Sequence, residues 1–182
     1  MTGTCNDLLT MASQQRTTAH KATKDKALTA ADSSRMWARP GFLIRRLHQI
    51  QCGLFFEECG TSTITPLQFG MLTVLIEHPK GVAINTLAFQ LGTDRSTTAD
   101  VARRLASRGY IEQEAAKSDR RKMVSRITKQ GRALLREKEP SMQKSQDILL
   151  QPLSSKQRRD VMTALKILVR AYNDKGRARM QL

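Results

Sequence analysis

Aromatic side chains are scarce in this chain: one Trp, two Tyr and five Phe make up 4% of its 182 residues. Proteins that hold single-stranded nucleic acid stack its bases on such rings, so a stacking platform is disfavoured. Cysteines are few as well. Cys5, Cys52 and Cys59 are an odd number at no zinc-finger spacing, which argues against a disulfide framework or a structural zinc. A reducing, cytoplasmic setting is the expectation. No apolar run approaches the roughly 18 residues of a membrane-spanning helix, and no charged-then-apolar stretch reads as a secretory leader. The three histidines, His20, His48 and His78, fall in a tail, a helix and a helix end. There is no Gly-rich phosphate loop and no legible pairing of nucleophile and base. The expectation is therefore no enzyme, no cofactor and no metal ligand.

Acidic residues are also in short supply. Lys and Arg number 31 against 16 Asp and Glu, a net charge of +15. The excess is uneven. From Asp94 to Arg132 eleven basic residues face five acidic ones, whereas from Pro40 to Thr93 there are three of each. Positive charge so concentrated implies a polyanionic partner and salt-dependent binding through counterion release. Charge alone does not separate DNA from RNA or from an anionic membrane.

What the chain does have is a patterned stretch from Val82 to Gly131. Leu87, Ala88 and Leu91 recur at helical spacing in a short helix over about Ile84–Leu91. Gly92 reads as its stop, and Thr93 or Asp94 as the cap of the next helix. In that second helix Thr98, Val101, Ala102 and Leu105 recur at i, i+3, i+4 and i+7 and predict a core-facing stripe. The other face carries Arg95, Ser96, Thr97, Ala99, Asp100, Arg103 and Arg104. Arginine can read guanine edges, hydroxyls can meet bases or phosphates, and a small Ala99 allows close approach, so this face suits a DNA major groove. After Gly109 the pattern changes. Tyr110–Glu114 and Met123–Ile127 read as two strands joined by a basic loop with Lys117, Asp119, Arg120, Arg121 and Lys122. A cationic tip on a two-stranded ribbon can reach a neighbouring groove or the phosphate backbone.

On either side the pattern is helical. Residues 1–38 are polar and basic, with six basic and three acidic residues to Arg39, and read as a flexible tail. Pro40–Cys59 carries a broad apolar stripe (Leu43, Leu47, Ile50 and Leu54, widened by Ile44 and Phe55) that predicts burial against more than one neighbour. Thr65-Pro66-Leu67-Gln68 is a helix start with a capping box, followed by Phe69, Leu72, Leu75 and Ile76. Beyond Thr128 a helix is interrupted by Pro140, which predicts a kink or break near Glu139. The last helix places Val161, Leu165, Leu168 and Tyr172 at heptad-like spacing, a stripe that must find a partner. The fold class is thus mainly α with a small β-hairpin wing. Four segments follow: a tail (1–38), a dimerisation helix (39–64), a DNA-binding domain (65–131) and C-terminal dimerisation helices (132–182).

Three groups of residues carry a family resemblance: the Leu-Ala-x-x-Leu-Gly of Leu87–Gly92, the run from Asp94 to Glu112, and Asp119 with Arg121 before the closing Ile127, Thr128 and Gly131. With the flanking helices, over roughly 39–173, the chain resembles the MarR family of winged helix-turn-helix regulators. It departs at Ala99 and Asp100, where hydroxyl and basic types are common, and this bears on which bases are read. The resemblance implies a homodimer that binds near-palindromic double-stranded DNA with one recognition helix per half-site. Arg121 would make the wing contact, with Asp119 orienting it. It also implies a small-molecule effector, often aromatic or anionic, for which Arg45, Arg46, His48 and Gln49 are candidates beside the alternative of plain helix-face charges. The leading expectation is a repressor released by such a ligand, an aromatic acid or its thioester. The alternatives are a non-specific, architectural nucleic-acid binder, or a redox-sensing regulator acting through Cys52 or Cys59. Those two cysteines, seven residues apart on one helix, are about 10 Å apart along its axis, too far for a bridge within it.

Overall fold

The computed structural model describes residues 37–60, 64–116, 119–176 and 178–180; at 116 and 119–122 the description is of backbone. The chain divides into two units at Arg46/Leu47. In the first, Trp37 packs edge-on against Phe42 with ring centroids 4.5 Å apart. Among the described residues the elements run α1 (Pro40–Cys59), α2 (Pro66–Glu77), β1 (Val82–Ala83), α3 (Ile84–Leu91), α4 (Arg95–Ser107), β2 (Ile111–Ala116), β3 (Asp119–Ile127), α5 (Lys129–Leu150) and α6 (Ser155–Ala171).

The helix starts follow their caps. Gln68 N donates to Thr65 Oγ1 at 3.2 Å and Thr65 N to Gln68 Oε1 at 3.0 Å, closing the capping box at the head of α2. Ser154 and Gln157 repeat the device at α6. Gly92 ends α3 with φ +63°, a left-handed backbone that only glycine adopts without strain.

A single apolar cluster ties the second unit together. Phe55 and Cys59 from α1, Phe69, Met71, Leu72 and Leu75 from α2, and Leu87 from α3 meet Ala102 and Leu105 from α4. Ile111, Ile127, Leu134 and Leu135 close it from the sheet and α5. Each large side chain so buried contributes on the order of 1.5–3 kcal/mol relative to exposure. Met71, fully buried, is absent from the α2 stripe predicted by spacing. That helix is apolar on nearly every side, so periodicity marks its inner face poorly.

Three expectations need correction. The ribbon is not two-stranded: Val82 and Ala83 pair antiparallel with Ser125 and Val124, giving a sheet of order β1-β3-β2. Two residues are too short to show an alternation. The basic loop is shorter than expected, because β2 runs on to Ala116 and Asp119–Lys122 lie in β3, with a register irregularity between Ala115 and Ala116. Backbone pairing overrides the polar composition there. Helix α5 runs unbroken past Pro140, so the break expected near Glu139 does not occur. Proline removes one N–H, and the remaining helix bonds with the packing of Leu134, Leu135 and Ser145 hold the helix on either side. Within one chain Phe55 of the α1 stripe is buried, whereas Leu43, Ile44, Leu47 and Ile50 are exposed. Helix α6 has no buried residue at all, and Met162, Leu165, Ile167, Leu168, Val169 and Tyr172 are exposed along it and at its end.

Candidate nucleic-acid interface

Helix α4 stands on three inward side chains. Thr98, Ala102 and Leu105 are fully buried, one helical turn or two apart, and Val101 packs partly against the same core. This fixes the helix in rotation, with Ala99 and Ala106 also packed partly against the core, and turns the opposite face outward. Arg95, Ser96, Thr97, Asp100, Arg103 and Arg104 are exposed, and Ala99 is half-buried between them.

The first turn is held by a dense set of hydrogen bonds. Asp94 is the N-cap; its Oδ1 accepts from Thr97 N at 2.8 Å and from Ser96 Oγ at 2.7 Å, and its Oδ2 accepts from Thr97 Oγ1 at 2.8 Å. Behind it Thr98 Oγ1 donates to the Asp94 carbonyl at 2.8 Å and lies 2.8 Å from Thr93 Oγ1. The Thr97 amide, then the two hydroxyls, hold the Asp94 carboxyl well below the ordinary carboxylate range. Further along, Arg103 Nη1 pairs with Asp100 at 2.8 Å, one turn back on the exposed face. That pair is well solvated, so it orients the guanidinium more than it stabilises the helix.

Beside α4 lies a groove of about 610 Å³. Helix α4 lines it with Arg95, Ser96, Ala99, Asp100 and Arg103, the start of α3 with Ile84 and Asn85, and the sheet with Ala83, Gln113 and Met123. Thr97 and Arg104, seven residues apart, share the adjoining stripe of the helix. The interface therefore has two flanks, one toward the sheet and one toward solvent. Asn85, Gln113 and Met123 were not among the sequence-predicted residues. Pairing across the sheet brings Gln113 and Met123 to the groove, and nothing local in the sequence marks that.

The wing is anchored at its base. Arg126 Nε donates to the Lys80 carbonyl at 3.0 Å, and its guanidinium also pairs with Glu114 across the ribbon. Thr128 Oγ1 donates to the Gly109 carbonyl at 2.7 Å and accepts from Gly131 N at 3.1 Å, linking the end of α4 to the start of α5. Gly81, at φ +88°, lies where a Cβ would be 2.6 Å from Val124 Cγ1 and 2.7 Å from Arg126 Cγ. Of the predicted wing residues, Lys117 lies outside the described residues, and Asp119, Arg120, Arg121 and Lys122 are placed by backbone alone within β3.

The effector candidates Arg45, Arg46, His48 and Gln49 are all exposed on α1 and do not line the groove. His48 Nε2 is 3.8 Å from Cys52 Sγ. Cys59 is buried, and desolvation pushes its thiol above the ordinary value, which disfavours the thiolate that redox chemistry needs. Among the described residues no group of His, Cys, Asp and Glu could hold a metal ion, and no helix is long and apolar enough to cross a membrane.

Known proteins are similar to this chain in sequence and fold. The family model described as "MarR family" matches residues 62–122. A transcriptional regulatory protein proposed for the hcr operon of Thauera aromatica is 33% identical over 133 residues, 71% of this chain and 78% of that protein. The HTH-type transcriptional repressor NicR of Pseudomonas putida is 24% identical over 75% of this chain and 85% of its own length. Among solved structures, the PcaV transcriptional regulator of Streptomyces coelicolor, in complex with its natural ligand, is 26% identical. It superimposes with a TM-score of 0.68 over 80% of this chain and 98% of that one.

Proposed function

The chain belongs to the MarR family of transcriptional regulators, and on that premise we propose that it is a sequence-specific repressor acting as a homodimer on near-palindromic DNA. One observation carries this reading. The face of α4 left exposed by the burial of Thr98, Ala102 and Leu105 gathers three arginines, two hydroxyls and a small residue beside a groove. Such a helix enters the major groove, where Arg95 and Arg103 meet guanine edges and Arg104 meets phosphate. Asp100 steers Arg103, and Ala99 lets the helix approach closely. The wing follows with Lys117, Arg120, Arg121 and Lys122 at the outer edge of each half-site. Arg121, oriented by Asp119, makes the minor-groove or phosphate contact there.

The exposed apolar rows of α1 and α6 supply the second half of the proposal. A single chain leaves Leu47, Ile50, Leu165 and Leu168 in water, and two copies that interlock through these helices would cover them. The four-segment division follows: 1–38 as a tail, 39–64 and 132–182 as dimerisation helices, 65–131 as the reading head. Two heads on one two-fold axis fit half-sites about one helical turn apart.

A small-molecule effector completes the reading. PcaV is bound to its natural ligand, and NicR is a repressor. Here an aromatic acid or its thioester would favour a dimer whose α4 helices are misplaced for DNA, since only differential affinity shifts the equilibrium. Arg45, Arg46, His48 and Gln49 offer cationic and polar contacts for its carboxylate.

Selection of duplexes from a random pool, followed by gel-shift titration, tests the core of this function. The purified protein should enrich an inverted repeat and bind it well above bulk DNA. Changing Arg95 or Arg103 to Ala should alter base preference as well as affinity. Enrichment of no sequence would return the protein to a non-specific binder. Sedimentation of Leu165→Glu and Leu168→Glu variants tests the dimer: both should run as monomers, and an unchanged dimer would discard the α6 assignment.

A further inference from the structure

Asp94 does more at the head of α4 than cap it. Its carboxylate accepts from Ser96 Oγ and from Thr97 Oγ1, at 2.7 and 2.8 Å, besides the Thr97 amide. A carboxylate has no hydrogen to give, and a hydroxyl has only one. Both hydroxyls therefore spend their hydrogen inward, and what Ser96 and Thr97 show outward is lone pairs. Ser96 lies on the groove flank of the helix, Thr97 on the solvent flank, and both are exposed. Thr98, whose own hydroxyl donates to the Asp94 carbonyl, pins the same residue from behind and is fully buried.

We propose that Asp94 is a specificity-determining positioning residue: by holding the hydroxyl hydrogens of Ser96 and Thr97, it leaves both side chains as acceptors toward DNA, so that they select base-edge amino groups. This rests on the reading of α4 as the helix that enters the major groove. Along that groove the hydrogens on offer are adenine N6 and cytosine N4; guanine N7 and O6 and thymine O4 are acceptors, as are phosphate oxygens. A freely turning hydroxyl serves either set. One clamped by a carboxylate serves only the first. The clamp persists through the neutral pH range, because the same hydrogen bonds keep Asp94 ionised. The arginines then read acceptor atoms and the hydroxyls read donors, a division of labour along one helix.

The experiment uses the full-length protein and its selected duplex with single-atom base changes. Purine in place of adenine removes the N6 amino group; 7-deazaadenine and 7-deazaguanine remove N7. At one or more positions, loss of the amino group should weaken wild-type binding about threefold to tenfold, the size of one neutral hydrogen bond. At those positions it should cost Ser96→Ala or Thr97→Ala nothing further. Asp94→Asn keeps a good N-cap and should fold, which its melting curve checks. Its amide can donate to one hydroxyl and turn that hydrogen outward. The variant should lose part of the dependence on amino groups and gain dependence on N7 or keto oxygens. Coupling of either hydroxyl to N7 in the wild type overturns the proposal while leaving sequence-specific binding intact. So does an Asp94→Asn variant with an unchanged pattern of couplings. If the wild type selects no duplex, the reading of α4 fails first and this inference falls with it.

Discussion

At Gly131 the lack of a side chain is what lets α5 begin directly beneath the turn that leaves α4. A Cβ there would overlap the Tyr110 carbonyl oxygen and press on Ile127 Cγ1 at 2.9 Å. The first obstacle is backbone, already committed to the Thr128 amide at 3.1 Å, so it cannot swing aside as a side-chain tip would. Gly131→Ala should therefore lower the unfolding free energy by about 1–3 kcal/mol, read as a lower midpoint in urea; an unchanged midpoint would show that the turn relaxes freely. Asp94 makes a residue-scale prediction of a different kind. Its carboxyl is held below its ordinary value of 3.8 by hydrogen bonds that exist only in the folded chain. A depressed folded pKa gives stabilisation that is complete above the unfolded value and is lost as pH falls through the folded one. Wild type and Asp94→Ala should thus differ in melting temperature at neutral pH and converge as the solution is acidified below about pH 4. A gap that widened on acidification would contradict the assignment of Asp94 as an ionised cap.

At the scale of elements, legibility in the sequence followed the reach of the signal. Helix α3 was legible to the residue and α4 in its place and buried face, its cap left between Thr93 and Asp94, because Leu87, Ala88, Thr98 and Leu105 repeat within one short window that Gly92 punctuates. The candidate reading face was legible for the same reason: what the core does not take must face out. Strand β1 was not, since its pairing with Ser125 and Val124 joins segments about forty residues apart. Gln113 and Met123 are groove residues through the β2–β3 pairing of that sheet. The hydrogen-bond polarity of Ser96 and Thr97 also escaped sequence reasoning, which sees a cap but not the second and third bonds that a carboxylate accepts. Pro140 is the opposite case, a strong local signal overruled by its surroundings. Exposed in the interior of α5, it withholds one helix hydrogen bond and interrupts nothing. Pro140→Ala should restore that bond and raise the unfolding free energy by about 1–3 kcal/mol. Thermal melts followed by circular dichroism would register it, and a lower melting temperature would mean that α5 needs the bend a proline imposes.

Across the whole molecule, exposed apolar rows lie on α1 and α6, and the positive excess is shared by two stretches, Asp94–Arg132 and residues 133–182, each with eleven basic and five acidic residues. Such a chain suits an assembly that buries the apolar rows against a copy of itself and offers its cationic surface to a polyanion. The two halves of that statement can be tested together. Affinity for DNA falls with salt because each neutralised phosphate releases counterions, with a slope of about −0.9 per contact in a plot of log K against log salt. If Arg121 meets a phosphate from each of two wings, Arg121→Ala removes two contacts from one complex and should flatten the slope by about 1.8. A single subunit on the duplex would show about half that change. Arg95→Ala, aimed at a base edge instead, should weaken binding while leaving the slope nearly as it was. Equal flattening for both variants would mean that α4 lies along the backbone rather than in the groove, and the recognition face would have to be assigned elsewhere.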